Sequence, residues 1–134
     1  MASGPRRIFL GVTGASGAPY ALRTLQMLVA AGAQVDLVYS PTGRRVLLEE
    51  CGMIFDGADP APLLLPGQAA AAVTCYAHAN VGAPPASGTA LGEAVLIVPC
   101  SLTTLAGVAE GRAGNLIERA AQVALKEGRK LVVV

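Results

Sequence analysis

Three clusters of hydroxyl and glycine residues stand where an apolar run meets the start of a helical pattern. The first is Gly14-Ala15-Ser16-Gly17. Glycine lets the backbone approach an anion closely, a helix amino terminus offers free N–H groups, and a serine adds a donor. That combination suits a nucleotide phosphate, and equally a tight turn with Ser16 as a plain helix cap. It lacks the G-x-G-x-x-G spacing of dinucleotide sites, which argues against a nicotinamide cofactor. The second cluster is Tyr39-Ser40-Pro41, where Ser40 reads most simply as an N-cap. The third is Pro99-Cys100-Ser101-Leu102-Thr103-Thr104, three hydroxyls at a helix start. One such cluster is commonplace, but three at successive strand ends point to one binding edge.

The charged candidates are fewer. Glu50 lies near the end of a short helical pattern and on its own reads as a solvated carboxylate. Arg119 and Lys126 share a helix with Glu118 and Glu127, where pairing within the helix is the default. The segment Ala86-Ser87-Gly88-Thr89 follows two prolines and has the composition of a compact pocket-lining loop.

The elements that position these residues alternate. Apolar runs at 8–12, 34–38, 73–76, 94–98 and 130–134 read as strands. Helical patterns cover 19–31, 42–51, a stretch from Ser101, and 115–127, the last with Asn115 as N-cap and Glu118 three residues on. Residues 56–68 read as a loop, and 82–89 as neither helix nor central strand. Strands alternating with helices predict an α/β fold, a Rossmann-like (flavodoxin-like) doubly wound parallel sheet with helices on both faces. Ligands in such folds sit beyond the carboxyl ends of strands, where all three clusters fall.

Size and composition narrow the partners. The 134 residues suffice for one domain. At 53% hydrophobic and 14% charged residues, with a mean hydropathy of +0.54, the chain is apolar for a monomer, which predicts a homo-oligomer. A net charge of +1 and only three Tyr, two Phe and no Trp argue against nucleic acid and anionic membranes. No apolar run approaches a membrane span in length. Cys51, Cys75 and Cys100 are scattered and His78 is the sole histidine, so reduced thiols in a cytoplasmic protein and no metal site are expected. The sequence stops inside Leu131-Val132-Val133-Val134, which predicts that a carboxyl-terminal segment of the domain is missing.

Taken together, Gly14-Ala15-Ser16-Gly17-Ala18, Ala86-Ser87-Gly88-Thr89, Pro99 to Leu105 and Asn115-Leu116-Ile117-Glu118-Arg119-Ala120-Ala121 resemble, in order and spacing, the flavin prenyltransferases of the UbiX type, formerly called aromatic acid decarboxylases. Val123-Ala124-Leu125-Lys126-Glu127 before a strand continues the likeness. The resemblance implies FMN as the bound flavin. The implied reaction is metal-independent transfer of a dimethylallyl group from dimethylallyl monophosphate to N5 and C6 of FMN. It also implies a dodecamer and a UbiD-type decarboxylase that receives the prenylated flavin. By the same likeness Gly14, Ala15, Ser16 and Ser40 would hold FMN, chiefly its phosphate, and Ser101, Leu102, Thr103 and Thr104 its flavin and ribityl side. Ala86, Ser87 and Gly88 would border the prenyl group, and Arg119 and Lys126 would face its phosphate. Glu50 with Ser16 would handle protons. Two departures stand out: the Pro-Arg-Glu segment, tyrosine and basic residue of the family are missing, and Gly128 replaces an arginine after Leu-Lys-Glu. Alternatives of another class are a non-catalytic FMN-binding subunit and the FMN-dependent cysteine decarboxylases. The decarboxylases carry an early histidine and an Asn-bearing motif not found here.

Overall fold

A computed structural model describes residues 6–54 and 57–134. The order along the chain is β1 (Arg7–Val12), α1 (Ala18–Ala30), β2 (Gln34–Tyr39), α2 (Pro41–Cys51), β3 (Val73–Cys75), β4 (Ala94–Ile97), α3 (Leu102–Ala109), α4 (Leu116–Lys126) and β5 (Lys130–Val133). All five strands are parallel, in the order β3-β2-β1-β4-β5. This is the α/β sheet expected from the alternation of apolar runs.

Side-chain alternation along each strand divides the core in two. Leu10, Val12, Val35 and Leu37 pack against Ala18, Ala21 and Leu25 of α1 and Leu47 of α2. Phe9, Val38, Val95 and Ile97 face the other way, onto Leu116, Ile117, Ala120, Ala121 and Ala124 of α4. One buried carboxylate interrupts the pattern. Asp36 of β2 is 1% exposed and accepts from Arg7 Nη1 at 2.6 Å. Burial pushes its pKa up, and the Arg7 guanidinium pulls against that rise.

The loop expected over 56–68 begins at a residue outside those described. Its described part carries one 3-10 turn, Ala61–Leu63. Gln26 Nε2 donates to Leu63 O and Gln68 Nε2 to Gln26 O, which moors the excursion to α1. The 82–89 segment, read as free of helix, contains a 3-10 turn at Pro84–Ala86. Two adjacent prolines tolerate that turn because its first residues need no N–H partner. Asn115 caps α4 by accepting from Glu118 N at 2.9 Å. The Glu118 carboxylate reaches back to Gly114 N instead of the cap residue itself.

The strand order places a topological switch between β1 and β4. Beyond β1 the chain turns into α1 and towards β2; beyond β4 it turns into α3 and towards β5. The two connections leave the sheet in opposite directions, which by the rule for such sheets makes the carboxyl edge between them the ligand crevice.

Candidate active site

The crevice is built from the turn after β1, residues 13–17, and the turn after β4, residues 99–101. Thr13 joins them. Its hydroxyl donates to Pro99 O at 2.6 Å and accepts from Ser101 N at 2.8 Å, and Thr13 N donates to Pro99 O at 3.2 Å. Thr13 is buried, and its bond to Pro99 O is buried with it, while the one from Ser101 N is part-buried. A threonine after a strand carries no signal of a partner that is 86 residues away.

The second and third hydroxyl clusters cap the helices that follow them, whereas Ser16 does not cap α1, whose N-cap is Gly17 with no side-chain cap bond. Ser40 Oγ accepts from Gly43 N at 2.9 Å and lies 3.1 Å from Thr42 Oγ1. Ser101 Oγ accepts from Thr104 N at 3.2 Å and donates to Thr104 Oγ1 at 2.9 Å. Capping uses a lone pair and leaves the hydroxyl proton directable, so Ser40 remains able to donate. Thr42 packs directly on Gly14, and a Cβ at that position would collide with the Thr42 side chain. Gly17 adopts φ +121°, a conformation L side chains rarely take, and faces Pro99. Leu102 and Thr103 are exposed on the first turn of α3.

Glu50 departs most from its simplest reading. Although exposed, its carboxylate reaches across to the turn after β1. Oε2 accepts from Ser16 Oγ at 2.9 Å, and Oε1 accepts from Gly17 N at 3.0 Å and Ala18 N at 2.9 Å. The α1 amino terminus, where the sequence suits a nucleotide phosphate and a Ser16 cap equally, is satisfied in this structure by a carboxylate of the same chain. The bond from Gly17 N, then those from Ser16 and Ala18 N, hold the Glu50 carboxyl below its ordinary value. The hydroxyls of Ser40, Thr42, Ser101 and Thr104 and the Gly14–Ala15 backbone form an uncharged donor set along the crevice. That set suits the sugar-phosphate chain of a nucleotide.

Arg119, Lys126 and Ala86 meet elsewhere. They line a groove of about 560 Å³ with Val108, Gln122 and Val123. Arg119 and Lys126 lie two turns apart on α4, on one exposed face. Lys126 Nζ stands 4.0 Å from Glu127 Oε2; among the described residues Arg119 forms no ion pair. Ser87 Oγ lies 2.9 Å from Thr89 Oγ1, and Gly88 rests against the Glu127 side chain. Of the substrate candidates, Ala86, Arg119 and Lys126 therefore share a groove that includes none of the crevice residues, while Ser87 and Gly88 are not among its lining. His78 contributes its carbonyl to Leu116 N at 2.9 Å. Burial lowers the pKa of its ring, and Glu118 partly offsets the drop. Among the described residues no group of three or more His, Cys, Asp or Glu is placed to hold a metal ion. No helix among them is long and apolar enough to cross a membrane.

Comparisons with known proteins agree with this architecture. A Pseudomonas aeruginosa protein named flavin prenyltransferase UbiX is 43% identical over 136 residues, a match covering 98% of this chain and 65% of that protein. The crystal structure of AnUbiX in complex with FMN and dimethylallyl pyrophosphate superposes with a TM-score of 0.81 at 30% identity, over 97% of this chain and 64% of that one. A dodecameric FMN-dependent UbiX-like decarboxylase from Escherichia coli gives 0.79 at 33% identity, over 96% and 64%. The chain thus spans slightly less than two thirds of the length of these relatives. The family model described as Flavoprotein matches residues 2–134, and the chain belongs to that family.

Proposed function

We propose that this chain is the flavin-binding part of a flavin prenyltransferase. It would transfer a dimethylallyl group from dimethylallyl monophosphate to N5 and C6 of reduced FMN. The observation that carries the reading is the Ser16–Glu50 pair at the mouth of the crevice, a hydroxyl donating to a carboxylate that three donors keep ionised. The relatives named flavin prenyltransferase support it, as does the neighbour solved with FMN and dimethylallyl pyrophosphate.

FMN, when bound, supplies the nucleophilic ring. Gly14, Ala15, Ser16 and Ser40 would hold its phosphate end, and Ser101, Leu102, Thr103 and Thr104 would border the flavin and ribityl chain. Ser16 and Glu50 would pass a proton, the carboxylate accepting through the serine hydroxyl. When the donor's carbon–oxygen bond breaks, phosphate leaves with the electron pair. Arg119 and Lys126 would stabilise that charge, and Ala86, Ser87 and Gly88 would flank the apolar prenyl group. The reading includes a cytoplasmic homo-oligomer, a dodecamer like the Escherichia coli neighbour. Exposed Tyr20 (71%), Ile54 (82%) and Leu102 (83%) are the kind of surface such an assembly covers. A UbiD-type decarboxylase would receive the product.

The test is direct. The full-length protein, incubated with reduced FMN and dimethylallyl monophosphate, should yield a flavin heavier by one five-carbon prenyl unit and spectrally altered. Recovery of unmodified flavin alone refutes the assignment.

A further inference from the structure

The segment 87–92, between the Pro84–Ala86 turn and β4, is gripped by one side chain. Arg129, just beyond α4, donates from Nη2 to Gly88 O at 2.5 Å. Its Nη1 donates to Leu91 O at 2.5 Å and Gly92 O at 3.2 Å. Other hydrogen bonds described within the segment are local, from Ala90 N and Leu91 N to Ser87 O and between Ser87 and Thr89. Gly88 lies so close to Glu127 that a Cβ there would meet its Cδ at 3.0 Å.

The guanidinium starts from a fixed backbone. Arg129 N bonds to Ala124 O at 2.8 Å and Gly128 N to Leu125 O at 3.3 Å, the paired closure of a helix whose next residue is left-handed. Gly128 supplies that conformation, with φ +69°, which is a physical reason for glycine where the resemblance leads one to expect arginine. The end of α4 therefore grips the segment that follows Ala86. Ala86 in turn lines the same groove as Arg119 and Lys126 of α4.

We propose that Arg129 is a positioning residue that sets the spacing between these two walls, and so the length of allylic chain the groove admits. This rests on reading the groove as the prenyl-phosphate site. A planar fork reaches several carbonyls at once; a lysine ammonium at the same place makes fewer such bonds. Loss of the fork loosens the stretch from Gly88 to Ala90 while Leu91 stays in the core, and lets Ala86 shift against α4.

The test uses the full-length protein with reduced FMN and two donors, a five-carbon and a ten-carbon allylic monophosphate. The wild type should favour the shorter donor. Arg129→Gln should lower that kcat/KM ratio about tenfold, chiefly through KM for the short donor. FMN affinity should stay within about twofold, and Arg129→Lys should restore part of the ratio. Arg45→Gln, which removes an exposed ion pair with Glu49, should leave the ratio unchanged. In hydrogen exchange the 88–90 amides should lose protection in Arg129→Gln. A wild type without donor preference, or a folded Arg129→Gln protein with an unchanged ratio or unchanged exchange, overturns the inference. If Arg129→Gln does not fold, an unchanged ratio in Arg129→Lys does the same. A wild type that prenylates no flavin refutes the function instead, while the exchange measurement still decides whether Arg129 holds the segment.

Discussion

The crevice after β1 and β4 and the groove beside α4 solve opposite problems. In the crevice nearly every polar group found a partner within the chain: Thr13 bridges two turns, Ser40 and Ser101 cap their helices, and Glu50 closes the α1 terminus. In the groove Arg119 and Lys126 stand exposed, with one distant contact to Glu127 between them. A site whose donors already hold one another is preorganised and costs little to order on binding. Two exposed cations keep the freedom to turn toward an incoming anion. On the proposed function, the crevice would bind the flavin and the groove would meet the leaving phosphate.

Removing the two cations breaks this contrast most severely. The Arg119→Ala/Lys126→Ala protein should lose prenyl transfer by roughly a thousandfold, while its FMN affinity, by flavin fluorescence titration, stays within about twofold. Comparable losses in both measurements would mean that the groove also binds the flavin. Glu50→Gln keeps the shape of the side chain but removes its charge. Transfer should fall about a hundredfold, and circular dichroism should show an unchanged fold. Thr13→Val leaves Ser101 N without its partner and Pro99 O with only the backbone N–H of residue 13, and should cost about 1 kcal/mol in urea unfolding. It should weaken FMN more than it slows turnover of the bound flavin, because the groove is untouched.

The smallest effect concerns pH. The folded Glu50 carboxyl titrates below its ordinary value of 4.5, so the folded state favours the ionised form. Its stabilising contribution is complete above about pH 4.5 and is lost as pH falls through the lowered folded value. The melting temperatures of wild type and Glu50→Gln should therefore converge on acidification from about pH 7 to about pH 3. A gap that stays constant would show that the carboxylate bonds at the turn are not what separates the two proteins.

Much of this molecule was legible from local pattern. The apolar runs at 8–12 and 94–98 and the Asn115 cap needed only neighbours in sequence, and each is found within a residue or so of its expected bounds. Burial of Asp36 on a central strand was not foreshadowed, because its partner Arg7 sits on a different strand. Glu50 looked solvated because its donors are over thirty residues earlier in the chain. The Arg129 grip was invisible for a like reason: its partners are backbone carbonyls, which every residue carries and no side-chain pattern reveals.

The bridge from Thr13 to Pro99 also has a kinetic consequence. Strands β1 and β2 are joined by one short helix and meet early, whereas β1 meets β4 only after a loop of more than eighty residues has closed. The crevice therefore exists only late on the folding route. A ligand held there would leave the folding rate nearly unchanged and slow unfolding, giving a bound protein that persists longer without forming faster.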